Sequence, residues 1–184
     1  MDRYQRALGG IALLAGLLLL PGAARAQEFY NFSVAGLGSI GGSVDADPGD
    51  DLSNTGYQLN LAVVTDSRTH AVVRLGQLGL DGDEFFGSLR DAELSYVTLG
   101  GEYRFDEDWY DSGAYLALGG YRLEGTAFDG EDSEDTSIGL AVGVTGEFKV
   151  NNWLGVLLEL SGHYIDFDEA QFFAMGHGGF IVHF

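Results

Sequence analysis

Apolar and polar residues alternate along most of the chain with a period of two, the mark of strands whose two faces meet different surroundings. Ser137–Val150 is the clearest run. Ile138, Leu140, Val142, Val144, Gly146, Phe148 and Val150 fall on one face, with Gly139, Ala141, Gly143, Thr145, Glu147 and Lys149 on the other. The pattern restarts after Asn151-Asn152, where Leu154, Val156, Leu158, Leu160, Gly162 and Tyr164 oppose Gly155, Leu157, Glu159, Ser161 and His163. It returns over Phe172–Phe184. Five earlier segments carry it less cleanly: Tyr30–Ile40, Tyr57–Val64, His70–Leu80, Leu94–Phe105 and Tyr115–Leu123. In the last of these, Tyr115, Ala117, Tyr121 and Leu123 are assigned the apolar face opposite Arg122, which leaves Leu116 and Leu118 on the polar side. Eight strands of about ten residues result, each long enough to cross a bilayer when tilted. An even number lets the first and last strands meet antiparallel. The predicted fold is all-β, an eight-stranded antiparallel up-and-down transmembrane barrel without an open edge.

The connections alternate in kind. Asp66–Thr69, Asp106–Asp111 and Asn151-Asn152 are short, whereas Gly41–Thr55, Asp81–Glu93, Glu124–Thr136 and Asp166–Gln171 are longer or more polar. All short turns then lie at one rim and all long loops at the other, as in barrels of outer membranes.

Residues 1–26 stand outside the alternation. Asp2, Arg3 and Arg6 precede an apolar run from Ala7 to Leu20, followed by Pro21-Gly22 and Ala24-Arg25-Ala26. A basic start, a short apolar core, a helix breaker and a small-residue site describe a secretory signal peptide. Cleavage after Ala26 is expected to leave a barrel domain over residues 27–184.

Charge sharpens the picture. The chain has 28 Asp+Glu against 9 Lys+Arg, a formal charge of −19, and losing three Arg and one Asp with the signal leaves 27 acids against 6 bases, or −21. Such an excess excludes nucleic-acid binding through basic patches. The lack of Cys excludes disulfides and thiolate metal sites. Eighteen of the acids lie in the four longer loops, with Arg90 the one base there, while the strand polar faces carry Arg74, Arg104, Arg122 and Lys149 against Glu102, Glu147 and Glu159. A barrel exterior in water would carry more charge, so the apolar faces are read as facing lipid and the polar faces as filling the interior. Aromatics near the strand ends, among them Tyr103, Phe105, Trp109 and Trp153 at one rim and Tyr57, Tyr121, Tyr164, Phe167 and Phe172 at the other, form two expected interfacial girdles.

With these features the chain resembles the small eight-stranded outer-membrane barrels of the OmpA/OmpX type, over its whole length after residue 26. The resemblance implies residence in the cell outer membrane, contact with outer-membrane lipid and lipopolysaccharide, a monomer, and no cofactor. It also implies that Phe180, Val182 and Phe184, on one face of the last strand, form the signal read by the outer-membrane assembly machinery. It implies no single activity, because such barrels serve as adhesins, structural proteins and enzymes.

Candidate chemistry divides between interior and loops. An eight-stranded lumen is only wide enough for side chains, so Arg74, Glu102, Arg104, Arg122, Glu147, Lys149, Glu159, His163 and His177 are expected to form a paired polar network. Pairing the strands about their turns sets Asn60 near Arg74, Glu159 across from His177 and His163 across from Phe173. Glu159, Ser161 and His163 at alternate positions also offer a Ser-His-acid set. Enzymes that remove acyl chains from lipid A share this barrel size, but the His-x-Ser motif of the kind they use is replaced by His163-Tyr164-Ile165, so no enzyme is expected. In the loops, Asp129, Glu131, Asp132, Glu134 and Asp135 offer oxygen ligands to a hard cation. Their run lacks the sixth-position Gly of an EF-hand, so a solvated acidic surface is the main reading and loose divalent-cation bridging to lipopolysaccharide the weaker one. Three functional classes remain. The first is a blocked barrel with a structural or surface-interaction role, the second a narrow channel gated by the interior charges, and the third, the least favoured by the residues, a lipid A-directed hydrolase.

Overall fold

A computed structural model describes residues 32–44, 54–80, 89–127, 130–167 and 171–184. Residues 1–26, expected from the sequence to form a signal peptide, lie outside the described residues, as do Asp129 and the loop acids of 45–51, 81–84 and 168–169. The strands are β1 (Phe32–Ser43), β2 (Asn54–Asp66), β3 (Thr69–Leu80), β4 (Leu89–Asp106), β5 (Tyr110–Ala127), β6 (Asp132–Lys149), β7 (Leu154–Ile165) and β8 (Gln171–His183). Each pairs antiparallel with the next, and β8 closes on β1. Asn60 stands opposite Arg74, Glu159 opposite His177 and His163 opposite Phe173, the pairings expected from the turns.

The register sets the shape. Following Cα partners from Leu154 through Val182, Val34, Leu61, Val73, Leu99, Leu118 and Leu140 returns to β7 at Tyr164, which is 164 − 154 = 10 residues further on. With a rise of about 3.3 Å per residue and about 4.8 Å between strands, that stagger tilts the strands by about 40°.

Seven strands turn the predicted polar face inward, and their apolar residues form an outward belt that includes Leu99, Val144, Leu160 and Phe180. β5 is reversed. Tyr115, Ala117, Tyr121 and Leu123 are buried inside, while Leu116 and Leu118 are exposed outside. Both faces of this strand are largely apolar, so hydrophobicity alone does not select its phase. Polar partners do: the Tyr115 and Tyr121 hydroxyls reach Glu159 and His163 in the lumen, and a leucine has no use for either. Tyr121 therefore leaves the expected girdle, as does the buried Phe167.

Glycines make room for the lumen tyrosines. The nearest atoms to a Cβ on Gly76 would be the Tyr96 ring, and a Cβ on Gly143 would stand 2.5 Å from Tyr115 Cε1 and 2.6 Å from the Leu160 carbonyl oxygen. Gly143→Ala is expected to cost about 1–3 kcal/mol by overpacking, read as a lower urea midpoint for unfolding from detergent micelles.

β4, β5 and β6 run 18 residues each, against 12 or 13 for the others. Two of the expected loops therefore shrink to 81–88 and 128–131, and Glu93, Glu124, Asp132, Glu134 and Asp135 sit on paired strands. The physical reason is that both faces of a strand beyond the belt meet water, so the alternation vanishes while backbone pairing continues. A bulge between Arg90 and Glu93 places Asp91 at φ 50, and the hairpin tip places Gly130 at φ 85. At the short-turn rim, Phe32 and Phe184 stack at 4.7 Å, and Asn151 Oδ1 accepts the Trp153 and Leu154 N–H groups.

Candidate functional site

Alternation on seven strands and the reversed phase of β5 bring a column of polar side chains into the lumen. Its lower part is a ladder of alternating charge. Arg74 Nε meets Glu159 Oε2 at 3.1 Å and its Nη2 meets Glu102 Oε2 at 2.8 Å. Arg104 Nε meets Glu102 Oε1 at 2.8 Å and its Nη1 meets Glu147 Oε2 at 3.1 Å. His183 Nε2 lies 2.6 Å from Glu147 Oε1 at the short-turn rim. Neutral donors complete the carboxylates: Gln58 Nε2, Asn60 Nδ2 and the Tyr115 hydroxyl all donate to Glu159, and Thr145 donates to Glu102. The Arg74 guanidinium also lies 3.5 Å from the Tyr115 ring centre, a cation–π contact. A buried charge removed from water needs this density of partners to be tolerated.

Above the ladder runs a relay of hydroxyl and imidazole groups. Ser39 Oγ is 2.7 Å from His177 Nδ1, His177 Nε2 is 3.1 Å from Ser161 Oγ, and Ser161 Oγ is 3.0 Å from His163 Nε2. His163 Nδ1 ends it at the Tyr121 hydroxyl, 2.9 Å away. Leu78, Leu94, Ile165, Phe167, Phe173 and Met175 pack over this group and cap the lumen on the long-loop side.

The Ser-His-acid alignment of the sequence is not assembled. Ser161 bridges two histidines, while the Glu159 oxygens are occupied by Arg74, Gln58, Asn60 and Tyr115. Ser161 is buried beneath this apolar cluster.

Seven of the nine expected network residues, Arg74, Glu102, Arg104, Glu147, Glu159, His163 and His177, line this column. Arg122 and Lys149 do not, which corrects the expectation for both. The phase of β5 sends Arg122 outward, where its Nη2 meets Glu124 Oε1 at 2.6 Å and Glu134 Oε2 at 2.8 Å. The hydrogen bond from Arg122 to Glu134, with the Glu124 charge beside it, raises the guanidinium further above its ordinary range. Lys149 keeps the inward phase but sits at the short-turn rim, where its Nζ meets Asp111 Oδ1 at 2.7 Å and donates to the Glu107 carbonyl. Gln58, Tyr96, Tyr115, Tyr121, Ser39 and His183 belong to the column without having been singled out in the network. All but the two β5 tyrosines sit on the face that alternation marks as interior.

The acids proposed for a cation are divided by the same alternation. Glu134 lies on the outward face of β6 and Asp135 on the other, and among the described residues no three His, Cys, Asp or Glu side chains converge as a metal site. Phe180 and Phe184 of the terminal strand project outward, with Val182 between them half-buried.

No protein-family model matches the chain, and no curated protein matches it significantly. Solved structures do match. Neisserial surface protein A (NspA) is 16% identical with a TM-score of 0.66, over 84% of this chain and 97% of that one. Ail, the attachment invasion locus protein of Yersinia pestis, is 18% identical with a TM-score of 0.53, over 83% and 96%. The N-terminal β-barrel domain of Pseudomonas aeruginosa OprF is 10% identical with a TM-score of 0.58, over 83% and 97%. The fold is that of the small eight-stranded outer-membrane barrels.

Proposed function

We propose that the chain is an integral outer-membrane barrel, exported by its N-terminal signal, with a side-chain-filled lumen and a working surface on the long-loop side. The observation that carries this reading is the tall wall of β4, β5 and β6. It projects about six residues, or roughly 20 Å along the strands, beyond the other strands. Pairing of β6 with β7 ends at Gly139 and Ile165, and the Asp166 N–H still reaches the Ile138 carbonyl, so among the described residues 132–137 have a strand partner only on the β5 side. That free edge carries Asp132, Glu134 and Asp135. An unpaired edge guarded by charge resists casual pairing, yet it offers backbone hydrogen bonds to an extended partner of opposite charge. Ail has been solved with the heparin analogue sucrose octasulfate, a polyanion; the acidic crown here suits a cationic partner instead.

The filled lumen supports the absence of a hydrolytic role, because Ser161, His163 and His177 satisfy one another behind the apolar cap. Lipid, lipopolysaccharide and the assembly machinery, reading Phe180, Val182 and Phe184, are the proposed surroundings of the wall. The chain has no Cys, so single cysteines report orientation cleanly. Glu134→Cys is expected to react with an impermeant maleimide on intact cells, and Asn152→Cys only after lysis. The converse labelling would overturn the proposed orientation. A triple Asp132→Asn, Glu134→Gln, Asp135→Asn variant is expected to weaken retention of a Lys-rich extended peptide by about ten-fold or more at low salt. Unchanged retention would remove the edge as the working surface.

A further inference from the structure

Directly below the free β6 edge stands an apolar residue that neither the lumen column nor the acidic edge uses. Ile138 is 75% exposed, more than any other large apolar residue among those described. Following the register, it lies about 2 Å higher than the girdle residue Tyr164. It also marks the place where β7 gives out. Its carbonyl takes the Asp166 N–H, and the next residue, Phe167, is buried in the lumen cap. The chain turns inward there and leaves the outward side of Ile138 open.

Ile138 is at the same time a wall of a groove on the outward face, with a volume of about 710 Å³ and Asp166 at its β7 end. Val97, Leu118, Leu140 and Tyr164 form other walls, and Gly120, opposite Ile138 in the register, forms the floor. A Cβ on Gly120 would meet nothing nearer than Val97 Cγ1 at 4.0 Å, so the groove is open there. Edge and groove are continuous. A strand added to residues 132–137 would take the line that β7 follows lower down. Antiparallel pairing, the rule of this barrel, would make it run away from the groove, toward the tips of the wall. Two of its outward side chains would stand opposite Glu134 and Asp132. Around them Asp132, Glu134, Asp135, Glu124 and Asp166 outnumber Arg122, whose guanidinium is taken by Glu124 and Glu134. Basic side chains suit those positions. Residues ahead of the paired stretch find β7 in their path at Asp166 and must step outward, over the mouth of the groove.

We propose that edge and groove form one site, for an extended basic segment of a partner protein led by an aromatic residue whose ring is seated against Ile138 and Tyr164. About two residues of lead, at about 3.3 Å each, bring such a ring from the edge to the groove. The ring supplies what backbone pairing and charge lack, a fixed starting point. Without it a strand can slide along the edge by two residues and meet the same alternation. A large ring in a preformed apolar recess is also where binding energy concentrates. The inference rests on the β6 edge being the working surface, and adds to it the direction, the register and the leading residue of the partner.

Fluorescence anisotropy of three labelled peptides, titrated with the barrel in micelles at low salt, tests it. One peptide alternates Lys and Thr over about six residues, the second is the same led by Trp-Gly, and the third is the same trailed by Gly-Trp. The wild-type barrel is expected to bind the Trp-led peptide about ten-fold tighter than either of the others. Ile138→Ser, at an exposed position, is expected to bring the Trp-led peptide down to the level of the peptide without Trp. Equal binding of all three peptides by the wild type would overturn the aromatic seat and leave the edge standing. Binding of none would overturn both. An advantage shared by the trailing Trp, or confined to it, would overturn the proposal, as would one that survives Ile138→Ser, the mark of a ring dissolved in the micelle. The triple Asp132→Asn, Glu134→Gln, Asp135→Asn variant reports the edge separately and is expected to weaken all three peptides. Heat-modifiable gel migration shows which variants hold the barrel. Should Ile138→Ser fail to fold, Gly120→Leu, which fills the groove beside Ile138 without a steric conflict, takes its place.

Discussion

Arg74→Met is expected to destabilise the barrel by about 3–5 kcal/mol, the cost of leaving a buried charge without its partner. Arg74 is 1% exposed and lies between Glu102 and Glu159. Glu102 would keep Arg104, but Glu159 would be left with only the neutral donors Gln58, Asn60 and Tyr115. The asymmetry predicts a rescue. Arg74→Met combined with Glu159→Gln should be substantially more stable than Arg74→Met alone, because the second change removes the stranded charge. Reversible urea unfolding of both variants and the Glu159→Gln single, closed into a double-mutant cycle, measures the coupling. A loss below about 0.5 kcal/mol for Arg74→Met, the range of ordinary surface changes, would mean that the ladder is not the element holding the lumen together. The wild-type barrel is also expected to be silent in planar bilayers, since column and cap fill the section of an eight-stranded barrel. Stable openings would favour the gated-channel reading.

The same ladder shows how far the sequence carries. Glu159 across from His177 and Asn60 across from Arg74 were legible because turn position and a strict period of two set both register and facing. The exchange of partners along the ladder was not, because it depends on neighbours from strands distant in the chain: Gln58 reaches Glu159 across the lumen, and Arg104 reaches Glu147 from β4 to β6. The rings of Tyr115 and Tyr121 count as apolar and so predict an outward phase, while their hydroxyls decide the matter inside. Arg122 takes the opposite face with them, since one strand has one phase. The height of the β4–β6 wall was hidden for a different reason: Glu124 and Glu134 pair directly, yet a strand with water on both faces has no alternation to read. Physical patterning reports contrasts between two surroundings and falls silent where the surroundings are the same.

That contrast is itself open to a direct measurement. Leu160 is 65% exposed on the outward face near the middle of β7, with Leu158 and Tyr164 along the same row. In water, a charge at such a position would change stability by less than about 0.5 kcal/mol. In hydrocarbon it costs about 2–4 kcal/mol near the midplane and falls toward zero at the interface. Leu160→Arg is therefore expected to lose about 2–4 kcal/mol in urea unfolding from phosphatidylcholine vesicles. Asp132→Arg, above the belt on the projecting wall, is expected to lose almost nothing. The pair of variants separates lipid exposure from a general intolerance of arginine, because both place an arginine on an exposed strand face, one within the apolar belt and one above it. Equal, small effects would mean that the apolar belt is not solvated by lipid. A large loss at Leu160 alone would also explain why a chain with a formal charge of −19 leaves its barrel wall almost free of charge between the two rims.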